Sequence, residues 1–230
     1  MKNFVKNCAL AAALMGLAGL ASAQSAGTWM VRAGATTIEP SNPSGNLSAP
    51  AFFVLPRTGA GSQTNTGADT QLAGGITYMY TDHVSVDVPL ALPFKHKLYG
   101  AGAIEGVGQI GEVQALPMTI FLQYRFLEAN AKFRPYIGLG ATYAYFFNEQ
   151  GSGTLTALTN PGGPPTKLSV DSKFILTPQI GATVAVGDKW FVDIFYSKSS
   201  LTTKTTLSTG QSVDAALDPV SYGIAIGYKY

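Results

Sequence analysis

Beyond its first two dozen residues the sequence has no cysteine: Cys8 is the only one, and it lies in an apolar leader. A disulfide framework, a cysteine-ligated zinc site and a thiol nucleophile are thereby excluded from the rest of the chain. Histidine is almost as scarce, at two residues, His83 and His96. Charge is scarce too: 12% of residues are Asp, Glu, Lys or Arg, against roughly 25% in soluble domains. No apolar run after the leader approaches the roughly 20 residues of a membrane-spanning helix. A chain with too little charge for water and no helical span must place its apolar residues against lipid or core in another way.

The leader itself has the pattern of a cleavable export signal. Lys2 and Lys6 open it, Ala9 to Leu20 are all apolar or small, and Ala21-Ser22-Ala23 fits the small-x-small cleavage rule. Residues 1–23 are therefore expected to be removed, with the mature chain starting at Gln24. About a dozen apolar residues are too few for an anchor, and Cys8 sits inside the run rather than just after it, as a lipoprotein would require. Losing Lys2 and Lys6 takes two of the 15 basic residues and leaves 13 to balance 13 acidic ones. That balance offers nothing to a nucleic acid. Residues 24–230 are of a length compatible with one domain.

What is present in abundance is period-2 alternation, which sends successive side chains to opposite faces of a strand. Val84, Val86, Val88, Leu90 and Leu92 alternate with Ser85, Asp87, Pro89 and Ala91. Met118, Ile120, Leu122, Tyr124 and Phe126 alternate with Thr119, Phe121, Gln123 and Arg125, and Val220 to Tyr230 repeat the pattern. Five further segments fit it, starting at Trp29, Leu72, Ile137, Phe174 and Trp190. Eight strands are an even number, as single-chain bacterial barrels have. Short turns near residues 81–83, 128–130 and 187–189 follow the even strands. Long segments rich in Gly, Ser, Thr, Pro and Asn follow the odd ones. The pattern predicts an all-β fold: an eight-stranded antiparallel transmembrane β-barrel, an up-and-down meander in the outer membrane of a Gram-negative cell.

Lipid belongs on the apolar face because the other face is wrong for water. It is mostly Gly, Ala, Thr and Ser, with isolated charges at Arg32, Asp87, Arg125, Lys173, Asp193 and Lys229. An eight-stranded barrel is just wide enough inside for side chains to fill it, and buried charges there need partners. Asp87 and Arg125 fall on neighbouring strands and are expected to be able to pair. Trp29, Tyr78, Tyr80, Tyr145, Phe147, Trp190, Tyr228 and Tyr230 cluster toward strand ends, where interfacial girdles place such rings.

Other motifs carry little. Gly106-Val107-Gly108-Gln109-Ile110-Gly111 matches GxGxxG but lacks the strand and helix that a dinucleotide site requires. His83 falls in a short turn and His96 in a long loop, at opposite ends of the barrel, so they cannot share a metal or a proton. No serine is marked as a partner for either. Neither an enzyme nor a cofactor is called for. Asn46-Leu47-Ser48 is a sequon by pattern only.

Three segments in register resemble a known family. Leu92-Pro93-Phe94-Lys95-His96 resembles the TPFKH element of the OmpW family of outer-membrane proteins. Leu116-Pro117-Met118-Thr119 with Gln123-Tyr124-Arg125-Phe126 resembles its LPPT…QYYF strand. Phe133-Arg134-Pro135-Tyr136-Ile137-Gly138-Leu139-Gly140, ending at Tyr145-Phe146-Phe147, resembles its FRPYVGAG…FF strand. Leu92 and Met118 depart from the pattern, and residues 41–68 form a long polar insertion. The resemblance implies a rather apolar upper lumen admitting small hydrophobic molecules across the outer membrane, either through the barrel or sideways into the bilayer. Met79, Phe121, Phe191 and Phe195 are the apolar lumen candidates beside the six charged ones. The alternative is a structural, receptor or adhesion barrel acting through loops 37–68 and 148–171.

The chain ends in an aromatic residue, Tyr230, as barrels of this type generally do, which makes it the expected signal read by the barrel-assembly machinery. Tyr230→Ser should lower the amount of protein in the outer membrane. Fractionation and heat-modifiable gel migration measure this, and unaltered membrane levels would contradict the assignment.

Overall fold

A computed structural model describes residues 24–41, 44–48 and 61–230. The expected signal peptide, and residues 42–43 and 49–60 of the polar insertion, lie outside the described residues. The chain forms β1 (Trp29–Glu39), β2 (Ser62–Thr66), β3 (Asp69–Met79), β4 (Val84–Ala91), β5 (Phe94–Gly102), β6 (Gln109–Arg125) and β7 (Phe133–Gly151). After a short helix, α1 (Gly153–Thr159), come β8 (Leu168–Val170), β9 (Lys173–Ala185), β10 (Trp190–Lys198), β11 (Thr202–Leu207), β12 (Ser212–Ala216) and β13 (Val220–Lys229). No helix among the described residues is long and apolar enough to cross a membrane.

Eight of these strands close into a ring by antiparallel pairing in the order β1, β3, β4, β6, β7, β9, β10, β13 and back to β1. The ring closes at the ends of the chain, with Met30 opposite Lys229 and Glu39 opposite Val220. Closure pairs the ladder groups of both edges, which is what a sheet in hydrocarbon needs. Every barrel strand read from the alternation is present. The short turns at residues 80–83, 126–132 and 186–189 share one end. The long connections share the other.

Alternation positions the outside. Leu72, Ile76, Leu90, Ile120, Leu122, Leu139, Leu176, Ile180, Ile194, Ile224 and Ile226 all face out and are exposed. Rings flank them. At the turn end Trp29 packs on Tyr78 with centroids 4.7 Å apart, and Trp190 on Tyr228 at 5.1 Å. Toward the long-loop end Tyr143 packs on Phe174 at 4.6 Å and Tyr145 on Phe147 at 5.3 Å. Amphipathic rings at both borders of an apolar band mark the two interfaces of a bilayer.

Above the second girdle the wall continues, and here the structure departs from the sequence reading. The connection after the third barrel strand is β5 and the upper half of β6, a hairpin turned at residues 103–108. His96 therefore lies in a strand. Likewise β11 and β12 form a hairpin, joined by β8 into a three-stranded sheet. Residues 44–48 stitch the two sheets together: Ser44 and Leu47 donate backbone N–H groups to β2, and Gly45 and Ser48 donate to β12. The alternation persists in these segments with its sign inverted. In β5, Phe94 and His96 are buried while Lys95 and Lys97 are exposed. Outside the lipid, water takes the place of acyl chains, so the polar side chains turn outward and the apolar ones inward. These inward residues make a core of their own from Ile104, Ile110, Val113, Phe146, Leu155, Leu168, Leu201 and Leu207. The helix α1 contributes Leu155, and its Ser152 cap accepts a hydrogen bond from the Leu155 N–H at 3.2 Å.

The position of the lipid band can be tested directly. Ile120→Arg, in the middle of the apolar belt, should cost about 2–4 kcal/mol of unfolding free energy in lipid vesicles. Lys97→Leu, above the girdle, should change it by less than about 1 kcal/mol. Denaturant unfolding of the two variants in the same vesicles measures the contrast.

Candidate functional site

The lumen has two levels. At the turn end it is filled by side chains from every part of the ring. The Arg32 guanidinium forks onto the Asp87 carboxylate, with Nη1 to Oδ1 at 2.6 Å and Nη2 to Oδ2 at 2.9 Å, and Thr77 donates to the same carboxylate at 2.6 Å. Arg125 donates to Ser85 at 3.1 Å, Gln123 at 3.0 Å and Gln24 at 3.2 Å. Its guanidinium also lies 4.8 Å from the Tyr136 ring centroid. The Tyr136 hydroxyl sits 3.0 Å from both Asp193 oxygens. Gln123 donates to Gln179 at 2.9 Å. Two arginines and two aspartates thus share one layer, and bidentate pairing plus neutral partners meet the hydrogen-bonding demand of buried charges. Below this layer Met30, Met79 and Phe191 pack together, each at most 1% exposed. Arg134 then ties the turn end together, donating to the carbonyls of Gln24 at 2.8 Å and Asp82 at 2.6 Å. Polar layer and apolar cluster together form a closed floor.

Above the floor is a cavity of about 180 Å³. Phe94, Val113, Phe121, Phe146, Ile175, Phe195, Leu201 and Val213 give it an apolar lining. Four hydroxyls in its wall form a chain: Thr119 with Thr142 at 2.9 Å, Thr142 with Thr177 at 2.8 Å, and Thr177 with Ser199 at 2.9 Å. Hydroxyls that bond one another meet an apolar molecule at a lower cost than isolated ones would.

The same cavity reaches the outer wall. β4 pairs with β6 only through residues 84–87, and β5 resumes pairing with β6 at Phe94 opposite Ala115. Between these points residues 88–93 and residues 116–120 form no ladder pairs with each other. Pro89, Pro93 and Pro117 stand in this stretch, and none has an N–H to leave unsatisfied. Pro89, Leu90, Ala91 and Pro117 all line the cavity, yet Leu90 is 54% exposed on the outer face.

The sequence-derived candidates divide between these levels. Phe121 and Phe195 line the cavity and Arg32 forms part of its base. Asp87, Arg125 and Asp193 belong to the polar layer, while Met79 and Phe191 belong to the apolar cluster beneath it. Lys229 is buried. Two expectations are corrected. Asp87 pairs with Arg32 and not with Arg125, because Arg32 on β1 lies in line with Gly75 of β3, whose missing side chain leaves the space the guanidinium crosses to reach β4. Lys173 is exposed: it is the first residue of β9, at the rim beside the exposed Phe174, so its parity is that of the lumen but its height is above the enclosed part. Phe94, His96, Val113, Phe146 and Leu201 were missed. Their signal was alternation of the opposite sign. Among the described residues no group of three or more His, Asp or Glu side chains could hold a metal ion.

The ion pair carries a stability prediction. Asp87→Ala should destabilise the barrel by about 3–5 kcal/mol, because it strands the Arg32 charge. The double change Arg32→Met with Asp87→Leu should recover much of that loss. Denaturant midpoints in vesicles measure both.

The comparisons with known proteins agree with this architecture. The OmpW family model matches residues 25–230. Outer membrane protein W of Vibrio cholerae is 34% identical, with 94% of this chain and 98% of that protein aligned. Outer membrane protein W of Escherichia coli K12 is 31% identical, with 93% of each aligned. The crystal structure of the outer membrane protein OprG from Pseudomonas aeruginosa superposes with a TM-score of 0.78 at 24% identity, covering 91% of this chain and 99% of that one. The family match spans the described barrel from one end to the other, and on that ground the chain belongs to the OmpW family and is an outer-membrane β-barrel.

Proposed function

We propose that this protein is a passive, non-enzymatic conduit by which small hydrophobic molecules cross the outer leaflet and leave sideways into the bilayer. One observation carries the proposal: an apolar cavity lies above a closed floor, and its lining includes a residue, Leu90, that is also exposed on the lipid face. A molecule arriving from the long-loop end meets apolar side chains and a chain of hydroxyls bonded to one another. Further descent would require it to break the Arg32–Asp87 pair and the hydrogen bonds of Arg125. Removing one partner from such a buried pair costs about 3–5 kcal/mol. The wall between β4 and β6 presents a smaller obstacle. It has no interstrand ladder to break over residues 88–93, and beyond it lies hydrocarbon in which an apolar solute is stable. The driving force is partition down a gradient, so the route needs no cofactor and no energy source. Lipid is the receiving phase.

Uptake of a hydrophobic fluorescent probe should fall in cells lacking the gene and return with the wild-type gene. Ala144 is buried and lines the cavity, so Ala144→Trp should fill it and hold uptake near the deletion level. Heat-modifiable migration checks that this variant assembles. Wild-type uptake by an assembled Ala144→Trp protein would contradict the proposal.

A further inference from the structure

The cavity wall contains one ring that its apolar surroundings do not explain. His96 on β5 borders the cavity and is 4% exposed. Its Nδ1 lies 2.8 Å from the Gly67 carbonyl oxygen. A carbonyl only accepts, so Nδ1 carries the proton and the ring of the neutral form has Nε2 as an acceptor. Gly67 is held in the wall, its own N–H donating to the Lys97 carbonyl at 2.9 Å. This anchors the tautomer from the backbone. Burial pushes the His96 pKa below the ordinary histidine value, which keeps the ring neutral. The nearest carboxylate with an influence on it, Asp69, is engaged elsewhere: it accepts from the Lys95 N–H at 2.7 Å and from Gln71 at 2.7 Å. Phe94 stacks beside the imidazole with centroids 6.4 Å apart. Nε2 has no hydrogen-bond partner among the described residues.

Buried acceptors in native proteins have partners, and an exception calls for a reason. Pockets for apolar ligands characteristically carry a few placed polar groups that fix orientation. We propose that His96 Nε2 is the acceptor for a hydroxyl group on the transported molecule, so that the cavity favours amphipathic solutes with an apolar body and one hydroxyl donor, such as aliphatic alcohols, over plain hydrocarbons. The proposal rests on the cavity being a binding site for hydrophobic molecules, as put forward above. The hydroxyls of Thr119, Thr142, Thr177 and Ser199 each already have a hydroxyl neighbour, whereas His96 Nε2 has no partner among the described residues. A buried acceptor with no partner among the described residues would hold the polar end of a solute at the level of β5. The apolar end is then directed toward the cavity below.

The test compares 1-octanol with octane, two molecules that differ by one hydroxyl. Each is titrated against a hydrophobic fluorescent probe bound to the full-length mature protein in nanodiscs. His96→Phe keeps an aromatic ring in the wall and removes the acceptor. It should weaken displacement by 1-octanol about fivefold, the worth of one neutral hydrogen bond, and leave octane unchanged. A second measurement needs no substitution: the ¹⁵N signal of His96 Nε2 in the wild-type protein should shift on adding 1-octanol and stay in place with octane. Equal weakening of both ligands, no weakening of either, or an Nε2 signal indifferent to 1-octanol would overturn the inference and leave the cavity reading intact. Failure of octane to displace the probe from the wild-type protein would overturn the cavity reading, and this inference with it.

Discussion

A strand that crosses hydrocarbon must find a partner for every backbone N–H and C=O, because the acyl chains offer none and each orphan costs several kcal/mol. The closed ring from β1 through β13 answers this requirement, and most of the structure follows from it. Closing eight strands makes a narrow tube, whose inside can hold side chains but little water. That narrowness forces the inward face toward small residues wherever a large one stands opposite. Gly227 faces Phe191, with a built Cβ only 2.1 Å from the ring, and Gly181 faces Tyr136 at 2.4 Å. Neither ring could occupy the lumen if its neighbour carried a side chain.

The pairing rule is relaxed in the wall between β4 and β6, and the residues there reduce what the relaxation costs. Proline at positions 89, 93 and 117 removes three donors from the unpaired stretch before the question of satisfying them arises. The same residues prevent a continuous ladder from forming. A gap that is cheap to leave open and hard to close by pairing is a stable feature of the wall, and it sits at the height of the apolar cavity. The sealed polar layer lies below that height. The vertical arrangement therefore follows from two independent constraints: the charge layer needs enclosure on all sides, and the wall gap needs a lumen whose contents are themselves apolar.

The legibility of this structure from its sequence depended on which solvent each strand faces. Within the bilayer, apolar residues point out, and alternation such as Ile120, Leu122 and Tyr124 against Thr119, Phe121 and Gln123 gave strands, faces and girdles together. Arg32, Asp87, Arg125, Asp193 and Lys229 were legible as inward-facing charges for the same reason, whereas Lys173 lies exposed at the rim. Their pairing was not, because Arg32 reaches Asp87 across β3 through the space at Gly75, which no neighbour rule for adjacent strands anticipates. Above the bilayer the reading failed in a systematic way. Phe94-Lys95-His96-Lys97 alternates as regularly as the membrane strands, but with the lysines outward. Glycines and polar residues in the segments above the bilayer suggested loops. Period was the same; polarity was reversed at the interface, and the cavity is built mainly from the reversed part.

That reversal also explains why the apolar cavity lies where the wall rises above the bilayer. Inward-facing apolar residues from β5, β6, β8, β11 and β12 cannot be satisfied by lipid, so they must pack on each other, as Val113, Val170 and Leu201 do within one core. Packing them completely would fill the tube. The inward side chains leave a cavity of about 180 Å³ between them. Under the proposed function, an apolar solute would complete a core the chain leaves unfilled, its binding replacing cavity surface with contacts. The lipid beyond Leu90 offers the same solute an equally apolar environment. Under the proposed function, entry and exit would thus differ little in free energy, the condition under which a site can load from one side and empty to the other.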